Sequence, residues 1–336
     1  MKAVILVGGE GTRLRPLTET IPKPLLPFMN RPFLDHLLDH VASHGVEEVI
    51  LSSSYLASEF RVYLEGRTAD PKITWITEPE PLGTAGAIGG ALDQLNDTFL
   101  VLNGDVLTDL DLGDLMAFHR DRGAVATIAL THVDDARPFG LVERDASGRV
   151  LAFREKPSQP IPGDINAGTY VLEPRALEGI PRGVAVSIER ETYPALISRG
   201  EPVFARLSTA YWRDLGTPAA YLEAHVDALE GRVGGARHPR PLLGDGAEVD
   251  PDASVGADVV VGPGSRIAVG SSVQRTVLLA AVRVGERATV EGSILGPGTV
   301  VEPGATVVDS VMAEGARVPA DAHVAEAVVS AGRTAS

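Results

Sequence analysis

From Leu243 onward an aliphatic residue returns at every sixth position: Leu243, Val249, Val255, Val261, Ile267, Val273 and Leu279 keep the period without a slip. After slips the phase resumes at Leu278, Val284 and Val290, at Leu295, Val301 and Val307, and at Met312, Val318 and Val324. The internal period of the tail is thus six. It suits a coil with three flat sides, each giving one inward aliphatic per turn, with glycines and small residues at the corners, as in VGPGS (261–265) and VEPGA (301–305). The stretch 242–336 is therefore expected to be a parallel β-coil. The preceding residues 230–241, with Gly231, Gly234, Gly235, Pro239 and Pro241 among arginines, read as a linker.

Residues 1–229 follow another logic. Ala3 to Val7 is a short apolar run bounded by glycines, as in a buried parallel strand. Leu34, Leu37, Leu38 and Val41 recur at helical spacing up to Gly45, and Val49–Leu51, Ile73–Thr77 and Phe99–Leu102 read as further strands. Helices are expected over Tyr55–Leu64 and from Gly83 to about Leu95 between them, and Pro218 opens one reaching about Leu229. This alternation indicates βαβ units in a doubly wound, Rossmann-like sheet, where ligands lie beyond the carboxyl ends of the strands. From Ala124 the strands are expected to be shorter and more amphipathic: Ala124–Leu130, Leu141–Arg144, Val150–Phe153 and Thr169–Leu172.

A net charge of −15 argues against nucleic acid or an anionic membrane as partner. With no cysteine, disulfides, thiolate metal sites and a cysteine nucleophile are excluded. No signal peptide and no membrane-spanning run is legible, so a cytoplasmic protein is expected. An anionic substrate must find a local basic pocket. Only four of the 30 basic residues are lysines, Lys2, Lys23, Lys72 and Lys156, and Lys23 stands between two prolines.

The basic pocket is legible in VILVGGEGTRLRPLTETIPKPLLP, Val4 to Pro27. Gly8, Gly9 and Gly11 let backbone N–H groups approach an anion closely, and Arg13 and Arg15 add fixed positive charge. The dinucleotide fingerprint needs a glycine where Leu14 stands and a helix that Pro16, Pro22, Pro24 and Pro27 forbid. Ser52 to Ser54 occupy the place of its ribose-binding acid, which argues against a nicotinamide oxidoreductase. The Gly-Lys-Ser/Thr of the NTPase phosphate loop is absent.

At these residues the chain resembles the sugar-1-phosphate nucleotidyltransferases, whose signature GGxGTRLxPLTxxxPKP it matches at Gly8, Gly9, Gly11, Thr12, Arg13, Leu14, Pro16, Leu17, Thr18, Pro22, Lys23 and Pro24. The GTAGA string at Gly83, the SIERE string at Ser187 and the repeat tail are similar to the mannose-1-phosphate guanylyltransferase branch. The tail resembles the left-handed β-helix of hexapeptide-repeat proteins, with oligomerisation or packing as its expected role. An acyltransferase activity of that fold would have only His238 and His323 as bases.

The resemblance implies an enzyme that joins an NTP to a sugar 1-phosphate with Mg²⁺, working as a homo-oligomer. Asp105 and Asp214 would be the metal ligands, and Arg13 and Lys23 would stabilise the departing pyrophosphate and the reacting phosphates. Leu6, Gly8, Gly9, Gly11, Thr12, Glu78, Gly83, Thr84 and Gly104 would bind the nucleotide, and Gly140, Glu155, Lys156, Asn166 and Gly168 the sugar phosphate. Plainer readings stand beside these: Asp105 capping a turn, Thr84 and Ser187 capping helices, Asp214 paired with Arg213. For the substrates, GTP with mannose 1-phosphate is expected. The alternatives are dTTP or UTP with glucose 1-phosphate, GTP with a heptose or cyclitol phosphate, and a non-catalytic homologue that binds a nucleotide-sugar.

Overall fold

The computed structural model describes residues 1–53, 57–65, 67, 70–78 and 80–335, the side chains of Ala57 and Glu155 lying outside that set. The chain separates into two compact units, Met1–Gly9 with His36–Trp212, and Glu10–Asp35 with Arg213–Ser336. In chain order the elements begin with β1 (Lys2–Leu6), β2 (Pro27–Phe28), β3 (Arg31–Pro32), α1 (Phe33–Ser43), β4 (Glu48–Ser53), α2 (Ala57–Glu65), β5 (Lys72–Thr77) and α3 (Gly83–Gly89). There follow β6 (Phe99–Asn103), β7 (Val106–Thr108), α4 (Leu112–Arg122), β8 (Ala126–Val133), β9 (Gly140–Arg144), β10 (Val150–Glu155) and β11 (Gly163–Leu172). The last before the coil are α5 (Tyr193–Ser198), β12 (Val203–Leu207), β13 (Trp212–Asp214) and α6 (Pro218–Leu229).

The first unit is a mixed sheet with helices packed on it. β6, β1, β4 and β5 run parallel in that order, and Ala3, Val4 and Ile5 of β1 are fully buried, which explains an apolar run without alternation. β11 runs antiparallel to β6 and carries β9 farther along the same side, while β8 lines its other side and pairs in parallel with β12. The carboxyl ends of β1, β4, β5 and β6 therefore share one edge, and the pairing of Thr169 with Leu102 brings Asn166–Gly168 just beyond it. A core of Val4, Ile50, Val101, Ile128, Tyr170 and Tyr193, with others, joins sheet to helices.

Several elements depart from the sequence expectation. α3 ends at Gly89 and a 3-10 turn at Leu92–Gln94 follows, because the pair Gly89-Gly90 is a poor helix interior. β8 and β11 are longer than the expected short strands, at 8 and 10 residues, since β11 needs length to carry β6 and β9 on one side. The described part of α2 begins at Ala57, so the expected start at Tyr55 lies outside the described residues. Ser187 caps as expected, its side chain accepting from Arg190 N–H, but the turn it opens is a π-turn at Ile188–Thr192. Ile188 and the following Tyr193 are fully buried, while Arg190 and Glu191 are exposed.

In the second unit the tail forms a parallel β-helix of three sheets, consistent with the left-handed form the resemblance implies. Leu243 pairs with Val261 one coil later, an offset of 18 residues; Val261 with Leu278, Leu278 with Leu295, Leu295 with Met312 and Met312 with Val329 are each offset by 17. The slip in the hexad thus recurs at one corner. There Thr276, Ser293 and Ser310 are buried, and Oγ of Ser293 and of Ser310 accepts the N–H of Ser310 and Ala327 at 3.0 Å, so a hydroxyl ladder replaces backbone pairing. Leu278, not Leu279, takes the inward place in that row.

Candidate active site

In the second unit the segment after the glycines is folded by its prolines into short 3-10 turns at Thr12–Leu14, Leu17–Glu19 and Lys23–Leu25. Gly11 takes the left-handed conformation at φ 61°, and a Cβ there would press on Thr18 and Lys23 at 3.1 and 3.2 Å. Thr18 Oγ1 donates to the Gly11 carbonyl at 2.8 Å, closing the loop.

These turns aim two cations at one carboxylate. Arg13 Nη2 lies 3.3 Å from Asp214 Oδ2, and Lys23 Nζ lies 3.6 Å from Asp214 Oδ1. Lys23 is only 8% exposed, and a buried ammonium persists only with a counter-charge; Arg13, 59% exposed, keeps most of its fork open to solvent. Arg213 instead pairs with Asp227 at 2.7 Å, so the simpler pairing of Asp214 with Arg213 is not the one formed. Arg15 also leaves the group and meets Glu10 at the surface. Gly216 completes the arrangement: a Cβ there would stand 2.5 Å from Arg13 Nη2 and 2.8 Å from Asp214 Oδ1.

In the first unit the candidate residues line the shared carboxyl edge. Gly104 N–H donates to the Leu6 carbonyl at 2.9 Å, and a Cβ on Gly104 would stand 2.6 Å from that oxygen, so β1 and β6 deliver Leu6 and Asp105 together only with glycine between. Gly8 and Gly9 follow β1 at the same edge, and among the described residues beyond its chain neighbours no atom lies within 4 Å of a Cβ placed on Gly9. Glu78 is buried, with Ser52 Oγ donating to Oε1 at 2.7 Å and Leu82 N–H to Oε2 at 3.0 Å. That carboxylate fixes the approach to Gly83, whose φ of 66° and contact with the Val186 carbonyl exclude a side chain. Thr84 does not cap its helix; its Oγ1 donates to Glu189 Oε2 and accepts from Ile188 N–H, each at 2.8 Å.

Register also gathers the sugar-side residues. Gly140 pairs with Glu155 across β9 and β10, and Leu141 with Ile165 across β9 and β11, so Gly140, Glu155, Lys156 and Asn166 meet at one corner of the sheet. Lys156 is exposed, has φ 49° and is held by its N–H on the Phe139 carbonyl at 3.0 Å. Asn166 is fixed by its own amide, Oδ1 accepting from Gly168 N–H at 2.9 Å and Nδ2 donating to Tyr170 OH at 2.7 Å. Gly168, at φ 73°, leaves room for the Asn103 side chain.

Sequence reasoning missed Gly216, Ser52, Glu189 and Tyr170 as supports. Of these, only Glu189 lies in a string that carries a signal, the SIERE string, which by itself marks kinship.

Carboxylate oxygens are the hard donors that Mg²⁺ prefers, and Asp214 Oδ1 is buried and accepts no hydrogen bond from the described residues, so an acceptor is left for a cation. Among the described residues no group of three or more His, Asp or Glu forms a metal cage. Mg²⁺ held by one or two carboxylates and substrate phosphates needs none. The Asp214 carboxylate therefore fits such an ion.

The "Nucleotidyl transferase" family description matches residues 2–231, and "GMPPB C-terminal domain" matches 238–335. A mannose-1-phosphate guanylyltransferase of Mycobacterium tuberculosis is 42% identical over 86% of this chain and 82% of its own length. Mannose-1-phosphate guanylyltransferase 1 of Arabidopsis thaliana is 36% identical over 88% of this chain and 86% of its own. Among solved structures, HddC from Yersinia pseudotuberculosis in complex with GMP-PN is 33% identical and superposes with a TM-score of 0.58, covering 66% of this chain and 97% of that one.

Proposed function

The chain belongs to the nucleotidyl transferase family, and from that premise we propose that it joins GTP to mannose 1-phosphate, giving GDP-mannose and pyrophosphate. The guanylyltransferase names of relatives that cover most of both chains support this choice of substrates. The observation that carries the chemistry is the Asp214 carboxylate set between the buried Lys23 ammonium and the open fork of Arg13.

In the proposed reaction an oxygen of the sugar's phosphate attacks the α-phosphorus of GTP in line, and the bond to the β-phosphate oxygen breaks, releasing pyrophosphate. No bond to the protein forms, so the residues act by positioning and by charge. Arg13 would receive charge developing on pyrophosphate and Lys23 charge on the reacting phosphates. Asp105 and Asp214 are the proposed ligands of Mg²⁺, which when bound neutralises phosphate charge. Gly9, Gly11 and Thr12 would face the triphosphate, Gly8 with Gly83 and Thr84 would receive the base, and Leu6, Glu78 and Gly104 would complete the nucleotide site. Gly140, Glu155, Asn166 and Gly168 would orient the sugar, and Lys156 would hold its phosphate.

The functional division into 1–229, 230–241 and 242–336 is proposed likewise, supported by family matches that break between 231 and 238. So are a homo-oligomeric state and a cytoplasmic location; no helix among the described residues is long and apolar enough to cross a membrane. The test is product identity: GTP, mannose 1-phosphate and Mg²⁺ give GDP-mannose and pyrophosphate in equal amounts by phosphorus NMR. If neither forms, the reading falls.

A further inference from the structure

The second compact unit contains both the Glu10–Asp35 segment, with Arg13 and Lys23, and the β-helix. That segment includes a small hairpin. β2 and β3 pair Pro27 with Pro32 and Phe28 with Arg31, leaving Met29 and Asn30 as a two-residue tip with φ 49° and 65°. Both tip residues are left-handed, a conformation asparagine tolerates and methionine does not favour. Such a tip persists where its surroundings over-determine it.

The surroundings are visible on three sides. Asn30 Nδ2 donates to the Val261 carbonyl of the β-helix at 3.0 Å. From α6, the Tyr221 hydroxyl donates to the Pro27 carbonyl, and the His225 ring packs on Phe28 with centroids 4.7 Å apart. At the base of the hairpin Phe33 N–H donates to Leu26 O at 3.0 Å, and Leu26 N–H donates to Lys23 O at 3.2 Å. A continuous run of bonds thus leads from a β-helix carbonyl to the residue whose ammonium meets Asp214. Farther back, Thr20 Oγ1 donates to Glu314 of the β-helix at 3.2 Å, a second attachment of the same segment.

We propose that Asn30 is a positioning residue for Lys23, and that the β-helix, through the Val261 carbonyl, takes part in setting the phosphate-binding segment rather than serving only for packing or assembly. The proposal rests on the reading of Lys23 as a residue that stabilises the reacting phosphates. The Val261 carbonyl also accepts its ladder bond from Gly244 N–H at 2.7 Å, so removing the Asn30 amide leaves it satisfied.

That makes Asn30→Gly the informative variant in the full-length protein, since glycine keeps the left-handed turn and deletes only the tether. The expected result is kcat down about tenfold or more, KM for GTP and mannose 1-phosphate within about threefold, and melting temperature within a few degrees of wild type. Lys23, located by peptide mapping, should react several-fold faster with trinitrobenzenesulfonate as its burial loosens. Asn30→Asp, which turns a carboxylate toward the carbonyl, should lose at least as much turnover. Unchanged Lys23 labelling in Asn30→Gly overturns the proposal, and so does faster labelling with unchanged kcat. If wild type itself turns over no substrate, the proposed reaction has failed, and the labelling comparison still decides the tether.

Discussion

Asp214 shows how one side chain is held by what surrounds it. Arg13 and Lys23 compensate its carboxylate from two sides, and Gly216 leaves room for the Arg13 guanidinium and the Asp214 carboxylate. Replacing Lys23 by alanine leaves Arg13 on Asp214, so the protein should still fold, at a cost of about 1–3 kcal/mol. Turnover should fall by about a hundredfold or more in Lys23→Ala and in Asp105→Asn. Steady-state rates near wild type in either variant would contradict the role given to that residue. Gly216→Ala tests the same cluster without removing a charge. No positive φ is needed at Gly216, so the added methyl acts by displacing the Arg13 guanidinium. We expect kcat/KM down about tenfold or more with a melting temperature within a few degrees; unchanged kinetics would mean that Arg13 does not need its place beside Asp214.

At the scale of elements, two helices carry histidines kept neutral by the fold. On α1, burial and the nearby His44 ring push His40 down to about 4, against the opposing pull of Asp109 and Asp111. On α4, burial lowers His119, although Glu173 holds its Nε2 at 3.2 Å. Both folded values lie below the unfolded one, so the unfolded chain binds more protons over about pH 4 to 6.5 and stability falls as pH drops through that window. His40 contributes at most about 3 kcal/mol and less where solvent screens it. Urea midpoints should decline from pH 7 to pH 5, more shallowly in His40→Leu; a flat profile in wild type would contradict the assignment.

The elements also show what a sequence can and cannot reveal. The buried β1, the proline-broken segment after the glycines, α6 opening at Pro218 and the hexad each obey a local rule, and all formed within a residue or two of expectation. What was not legible depends on partners distant in the chain. The plainer reading of Thr84 as a cap fails because Glu189, distant in the chain, stands opposite it, and that of Asp214 as a partner of Arg213 fails because Lys23 reaches it from far upstream. Gly216 could not be singled out, since a glycine required by another residue's guanidinium leaves no mark in its own neighbourhood.

In the whole molecule a conflict of charge is resolved locally. A chain of net charge −15 is proposed to bind two phosphorylated substrates, and it concentrates Arg13 and Lys23 in a segment held to α6 and the β-helix. The β-helix, expected from its sequence to serve packing or oligomerisation, shares a compact unit with that segment. The decisive experiment is pyrophosphate release with Mg²⁺, measured as kcat/KM across GTP, dTTP, UTP, ATP and CTP against mannose, glucose, galactose and N-acetylglucosamine 1-phosphates. The account predicts a maximum at GTP with mannose 1-phosphate. A maximum at another pair would contradict the substrates, and no release anywhere in the grid would contradict the proposed enzyme.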